Sequence, residues 1–182
     1  MNLNHKLLDH PFYQAWSHGT VSREQLARYA RSYGEFIALM PEYWTRIGQG
    51  FKADTARIVA EEAIHAVLWE KWAVLLPEPI AYPRMTEVIE AFADFNASEL
   101  LGAVQAFETQ QPEVARTKKT GLLSHYGFTE EDTAYFDEHL NEQAHIDFGL
   151  RLATSKANPG EFQSGCNRGA ELVYHSLDLF MA

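Results

Sequence analysis

Two carboxylate–imidazole pairs are the residues of this chain best suited to carry chemistry. They have the same spacing, Glu62-x-x-His65 and Glu142-x-x-His145, and lie far apart in the sequence. Residues three apart on an α-helix share a face. Two such helices, with a lone glutamate from each of two others, hold two irons or manganeses inside a helix bundle. Glu108 is a candidate for one lone glutamate, so the spacing predicts a dinuclear non-haem iron or manganese site.

The spacing leaves two choices of ligand open. Glu61 lies four residues before His65 and shares its side of the helix as well as Glu62 does. In the second copy, Glu138 lies four residues before Glu142 and shares its face. His139 lies three before Glu142, but on a regular helix it is turned away from His145. Either Glu61 or Glu62, and either Glu138 or His139, could therefore complete the site.

A structural explanation competes with this one. A glutamate and a histidine three apart also arise by chance, and an exposed pair needs no metal. These glutamates, however, are expected on helix faces that also carry Leu, Trp and Phe, where a carboxylate is costly unless it is paired or metal-bound. The single cysteine, Cys166, disfavours both a disulfide framework and a thiolate zinc cluster.

The chain as a whole limits the class of protein. Its 182 residues suggest one domain spanning 1–182. A net charge of −10 argues against nucleic acid and anionic membrane surfaces as partners. No signal segment opens the sequence and no apolar run could span a bilayer. We therefore expect a cytoplasmic protein acting on a small molecule or on its own side chains, and a homodimer stays open.

The hydrophobic pattern predicts an all-α protein, because β-branched residues are sparse and no stretch alternates with a period of two. Ser22-x-x-Gln25 is a capping box that opens one helix, and Pro41 should end or kink it near Met40. We expect Asn158-Pro159-Gly160 to form a loop. The remaining predicted helices span 54–76, 85–110 with a break near Asn96, 113–126, a segment from Thr129 that carries the second pair, and 168–181.

Three stretches resemble the haem-oxygenase-like oxidases: Leu8 to Trp16, Glu61 to Trp69, and Phe107-Glu108-Thr109-Gln110-Gln111-Pro112 running on to His139. The last is most similar to the chlamydial CADD proteins, whose family members act as 4-aminobenzoate synthases. The PqqC and TenA proteins are more distant relatives. The resemblance implies a single seven-helix bundle of the haem-oxygenase-like (TenA/PqqC-like) type.

The resemblance also implies metal ligands. The family's first ligand pair falls on Glu61 or Glu62 with His65, although the CADD proteins separate the two by six residues, and the mid-chain ligand falls on Glu108. The last ligand helix of the family has the pattern His-x-x-x-Asp-x-x-His. The first histidine of that pattern matches His139.

Without a gap, the other two positions of that helix would be Gln143 and Ile146, which are poor iron ligands. A one-residue deletion instead places Glu142 and His145 there. We prefer the gapped alignment because it restores a carboxylate and an imidazole.

In this family a tyrosine is thought to supply the aromatic ring of the product and a lysine its amino group. By the same alignment the tyrosine is Tyr13 and the lysine Lys118, and Tyr29 matches a second tyrosine near the metals. The simpler interpretation is that Tyr13 packs in the core and that Lys118 is a solvated charge near a helix end.

The resemblance thus implies an oxidoreductase that activates O2 at a dinuclear iron or manganese centre and supplies 4-aminobenzoate for folate synthesis. Two alternatives remain. A cofactorless oxidase of the PqqC type would show no metal dependence and should present cationic side chains to an acidic substrate. A non-catalytic binding protein on the same fold would keep its function without Glu108.

Overall fold

The computed structural model describes residues 3–181. These residues contain ten α-helices and four short 3₁₀ turns, joined by loops, and no strand. Seven of the helices have twelve or more residues, which confirms the predicted seven-helix bundle. The α-helices are α1 (Pro11–Ser17), α2 (Arg23–Ile37), α3 (Met40–Phe51), α4 (Ala56–Ala73), α5 (Thr86–Asp94), α6 (Ala97–Glu108), α7 (Gln111–His125), α8 (Ala134–Glu138), α9 (Gln143–Lys156) and α10 (Pro159–Ser176). The 3₁₀ turns are Leu7–Asp9, Glu131–Thr133, His139–Asn141 and Leu177–Phe180.

Local capping chemistry places several of these boundaries. Ser22 and Gln25 form the predicted capping box at the start of α2. Asn96 caps α6 in the same way, with Glu99 as its partner, so the break expected near Asn96 is present. Pro41 lies in the first turn of α3, where its missing N–H leaves no helical bond unmade.

The prediction for the last helix was wrong at its start. Helix α10 begins at Pro159, nine residues before the expected start, and Asn158-Pro159-Gly160 is a helix start rather than a loop. The Asn158 side chain accepts hydrogen bonds from the backbone N–H groups of Gly160 and Glu161. An Asn-Pro-Gly sequence is typical of turns, but the same residues suit an N-cap followed by a first-turn proline.

The segment that carries the second pair is not one continuous helix. Helix α8 ends at Glu138, a 3₁₀ turn spans His139–Asn141, and α9 starts at Gln143. On a regular α-helix His139 and His145 would point about 120° apart. A 3₁₀ turn has three residues per turn, so residues three apart eclipse each other. The tighter winding therefore turns His139 toward the side of Glu142 and His145.

Close contact between α6 and α10 fixes the helix that ends in Glu108. Three glycines lie where the two helices meet: Gly102 on α6, and Gly165 and Gly169 on α10. A methyl group at Gly102 would meet the Phe162 backbone, and one at Gly165 would meet the Glu99 carbonyl. Within residues 3–181, no helix combines the length and the apolar character needed to cross a bilayer.

Candidate metal centre and aromatic pocket

Six buried side chains from α4, α6, α9 and the segment 139–142 that precedes α9 converge inside the bundle. They form two groups that could each hold a metal ion, one of His65, His139 and Glu142 and the other of Glu62, Glu108 and His145. Within each group the potential ligand atoms lie within 4.8 Å of one another. All six residues were predicted as candidates from the sequence.

The two groups adjoin each other. His145 Nδ1 lies 3.0 Å from a Glu142 oxygen and 3.2 Å from a Glu62 oxygen, and so links both groups. The other Glu62 oxygen lies 3.5 Å from His65 Nδ1. The ring centroids of His65 and His139 are 4.3 Å apart. Two ions in these groups would therefore be neighbours.

The electrostatics of the cluster favour a cation. Burial raises the pKa of the Glu108 carboxyl well above its usual range, and the nearby Glu62 and Glu142 carboxylates raise it further. Burial alone would also raise the pKa of Glu62, but contacts with His145 and His65 outweigh it and lower that pKa to about 2. For His145, burial is outweighed by Glu142 and Glu62, which raise its pKa to about 11. Three carboxylates close together in the core are costly to bury, and a bound cation would offset that cost.

The donor set fits a pair of hard or borderline metal ions. Within residues 3–181, neither His65 Nδ1 nor His145 Nδ1 has a hydrogen-bond partner, although both atoms are buried and carboxylate oxygens lie close to them. His139 Nδ1 lies 2.7 Å from the Tyr135 carbonyl oxygen, to which it can donate, leaving Nε2 on the side of Glu142. Burial, and then His65, lower the pKa of His139 to about 4, so its imidazole is neutral and able to ligate. Carboxylates with imidazoles suit iron or manganese.

The two remaining ligand candidates lie outside both groups. Glu138 is exposed at the end of α8, because the turn that follows it directs His139 inward instead. Glu61 is one-third exposed and lies at the edge of the cluster. Its carboxylate is 2.9 Å from His145 Nε2 and accepts a hydrogen bond from Arg57 Nε at 2.8 Å.

An aromatic pocket encloses the three residues predicted to be consumed or to assist. Tyr13, Tyr29 and Lys118 are all buried, so Lys118 is not a solvated charge. Lys118 Nζ donates to the Tyr29 hydroxyl at 2.7 Å, and that hydroxyl is 2.8 Å from the Tyr13 hydroxyl. The same Nζ lies 4.8 Å from the centroid of the Tyr13 ring. Burial lowers the pKa of Lys118 well below its usual value and raises the pKa of Tyr13 and Tyr29.

Two tyrosines of this region were not singled out by the sequence. Tyr33 stacks on Tyr29 with a centroid distance of 4.8 Å. The centroid of the Tyr135 ring lies 4.8 Å from that of Trp69 and 4.1 Å from that of His139. Tyr135 therefore joins the aromatic pocket to the candidate metal centre. The available signal was the spacing of Tyr135, four residues before His139, which places both on one side of the chain.

The fold and the converging side chains define a haem-oxygenase-like helical protein with a candidate dinuclear metal centre. A TenA homologue from Pseudomonas syringae pv. tomato has the same fold, with a TM-score of 0.79 over 96% of this chain and 86% of that chain, at 13% sequence identity. No protein-family model matches the sequence.

Sequence relatives define the family more closely. The chain is 31% identical over 157 residues to a 4-aminobenzoate synthase of Chlamydia trachomatis serovar D, covering 75% of this chain and 68% of that protein. A 4-aminobenzoate synthase of Chlamydia muridarum is 29% identical, with 75% and 66% covered, and one of Nitrosomonas europaea is 25% identical, with 94% and 84% covered. The chain belongs to the 4-aminobenzoate synthase family.

Proposed function

We propose that this protein is a self-sacrificing 4-aminobenzoate synthase, in which Tyr13 supplies the ring, Lys118 the amino nitrogen and O2 the oxidising power. The observation that carries the proposal is the placement of the Lys118 amine, 4.8 Å from the centre of the Tyr13 ring in a buried pocket. A lysine is rarely buried without a charged partner. The Lys118 Nζ instead donates a hydrogen bond to the neutral hydroxyl of Tyr29.

The product maps onto these two side chains. In 4-aminobenzoate the amino group stands where tyrosine has its hydroxyl, and the carboxyl carbon stands where tyrosine has Cβ. Conversion of Tyr13 therefore requires a new C–N bond at Cζ, with the phenol oxygen leaving as water, and cleavage of the Lys118 Cε–Nζ bond, with Cε oxidised to an aldehyde. It also requires cleavage of Cα–Cβ, with Cβ oxidised to the carboxyl carbon and Cα retained in the main chain. O2 and an external reductant are the co-reactants.

The pocket residues prepare Lys118 to act as a nucleophile. Only the neutral amine has a free electron pair, and burial favours that form by lowering the lysine pKa. Tyr29 holds the amine by accepting its hydrogen bond and contacts the Tyr13 hydroxyl on its other side. Tyr29 can therefore pass a proton between the two reacting side chains.

Glu62, His65, Glu108, His139, Glu142 and His145 would hold two iron or manganese ions. Such a centre, when bound, supplies O2 activation at the edge of the pocket. The protein orients the ligands: the Tyr135 carbonyl fixes His139, and the bundle core excludes water around Glu108. Tyr135 and Trp69 fill the space between the ligands and the aromatic pocket.

Complementation of a 4-aminobenzoate auxotroph tests the proposal. Wild type should restore growth, while Tyr13→Phe, Lys118→Met and Glu108→Ala should not. Two matched variants should still restore growth: Tyr43→Phe, another buried tyrosine that packs on Phe36 and Phe92, and Lys119→Met, the neighbouring lysine, which pairs with surface carboxylates.

Peptide mass mapping of the purified protein gives the chemical readout. After incubation with Fe²⁺ or Mn²⁺, a reductant and O2, the peptide that contains residue 13 should lose mass in wild type but not in Lys118→Met. Rescue by Tyr13→Phe would remove Tyr13 as the donor. Rescue by Glu108→Ala would favour a cofactorless oxidase, and failure of wild type to restore growth would favour a binding protein instead.

A further inference from the structure

Glu61 lies beside the candidate metal centre but belongs to neither group of ligand atoms. It comes from the same turn of α4 as Glu62, and the two side chains point to different surroundings. Glu62 is buried, whereas the Glu61 side chain is 33% exposed. A partly solvated carboxylate therefore lies next to a site that already has three buried ones.

The two ring nitrogens of His145 have different partners. Nδ1 faces inward, 3.0 Å from Glu142 and 3.2 Å from Glu62. Nε2 faces outward, 2.9 Å from Glu61. A histidine that ligates a metal through one nitrogen must carry its proton on the other. The outward contact to Glu61 is therefore the one that fixes the tautomer.

We propose that Glu61 is a positioning residue, which accepts the Nε2–H of His145 and so holds the Nδ1 electron pair toward the ion of the Glu62–Glu108–His145 group. Arg57 donates to the same carboxylate at 2.8 Å and keeps it aligned. A carboxylate behind a ligating histidine raises its basicity and fixes its ring, and loss of such a partner typically weakens metal binding about 10–100-fold. This role rests on the metal centre of the proposed function.

The position of Glu61 also makes it part of the boundary between the metal centre and solvent. Glu61 and His145 both line a surface cavity of about 390 Å³ between α4 and α9, together with Arg57, Phe148 and Arg151. On the other side, His145 contacts the buried carboxylates. The cavity therefore lies against the Glu61–His145 contact, on the solvent side of the Glu62–Glu108–His145 group. Removal of Glu61 should accelerate loss of an ion from this group.

Position-resolved Mn²⁺ binding tests the inference without any turnover. Crystals of wild type, Glu61→Ala, Glu61→Gln and Glu138→Ala are equilibrated with a series of Mn²⁺ concentrations, and anomalous diffraction at the manganese edge gives the occupancy of each group. Glu61→Ala should weaken Mn²⁺ about 10–100-fold at the Glu62–Glu108–His145 group and leave the other group unchanged.

The two other variants separate positioning from a general structural effect. Glu61→Gln keeps a carbonyl oxygen that can accept the Nε2–H, so it should recover most of the affinity lost in Glu61→Ala. Glu138→Ala removes an exposed glutamate of the same chain and should bind as wild type does. In solution, a chelator should strip Mn²⁺ from Glu61→Ala faster than from wild type.

Several results would overturn the inference. They are unchanged Mn²⁺ affinity in Glu61→Ala, equal weakening at both groups, failure of Glu61→Gln to recover affinity, and a wild-type structure in which Glu61 itself touches manganese. If wild type bound no Mn²⁺ or Fe²⁺ at either group, the metal centre of the proposed function would fail as well. Normal wild-type binding with an unaffected Glu61→Ala would refute the role of Glu61 alone.

Discussion

Replacement of Lys118 by methionine should change how the stability of the protein depends on pH. The Lys118 side chain is buried among Tyr13, Tyr29, Tyr33 and Trp69, and burial holds its pKa well below the usual value. In the unfolded chain a lysine titrates near pH 10.4. Between the folded-state pKa and about 10.4, the unfolded state therefore binds one proton more than the folded state.

The sign and size of the effect follow from linkage. As pH rises through that window, wild type should gain stability relative to Lys118→Met by about 1.4 kcal/mol per pH unit. As pH falls, the same stability is lost, down to the folded-state pKa. Loss of the hydrogen bond to Tyr29 adds a constant of about 1 kcal/mol that does not vary with pH.

Urea unfolding at several pH values between 8 and 10 measures this difference. Both proteins carry the same residues at the candidate metal centre, so the pH dependence of those residues cancels in the comparison. Lys119→Met is the matched control. Hydrogen bonds to Asp137 and Glu130 raise the pKa of Lys119. The contribution of Lys119 to the free energy of unfolding is therefore fully present below the unfolded-state pKa, and it should stay nearly constant between pH 8 and 10. A difference between wild type and Lys118→Met that does not change with pH would refute the reasoning, because the surrounding rings would then hold Lys118 as an ammonium ion unable to attack Tyr13.

Three further predictions concern the helix that carries Glu108. Glu108→Gln should raise the melting temperature of metal-free protein at pH 7 but reduce stabilisation by Mn²⁺, because the raised pKa of Glu108 makes folding take up a proton; a lower metal-free melting temperature would contradict this. Gly165→Ala should lower the melting temperature by about 6–12 °C, since the added methyl group meets the Glu99 carbonyl and overpacking of this kind costs about 3 kcal/mol. Asn96→Ala removes the cap of α6 and should cost about 1 kcal/mol in urea unfolding; an unchanged midpoint would show that packing on α10, not the cap, sets the start of α6.

Most of the helical framework could be predicted from the sequence, because its signals are local. Capping residues act over three or four positions: the capping box predicted at Ser22 is present, and the helix break expected near Asn96 coincides with a second capping box. The start of α10 was missed because Asn-Pro-Gly is compatible with both a turn and a helix start. The close contact of α10 with α6 through Gly102 and Gly165 favours the helix, and no local pattern contains that contact.

The residue types of the candidate site could be predicted from the sequence. Which of two adjacent residues enters the site could not. Glu61 and Glu62 lie four and three residues before His65, and either spacing places a carboxylate on the correct side of α4. Only the position of α9 separates them, because His145 contacts Glu62 through Nδ1 and Glu61 through Nε2. The choice between Glu138 and His139 likewise depended on a change of winding that the sequence does not state.

The 3₁₀ turn at His139–Asn141 shows that chain length and helical twist can compensate for each other between candidate metal ligands. Three residues per turn align donors at intervals of three, whereas a regular helix needs intervals of three and four to do so. A protein with one residue more in this segment could present equivalent donors from an unbroken helix. Homologues in which insertions or deletions alter the interval can therefore share one coordination geometry, and a search pattern with fixed intervals would miss some of them.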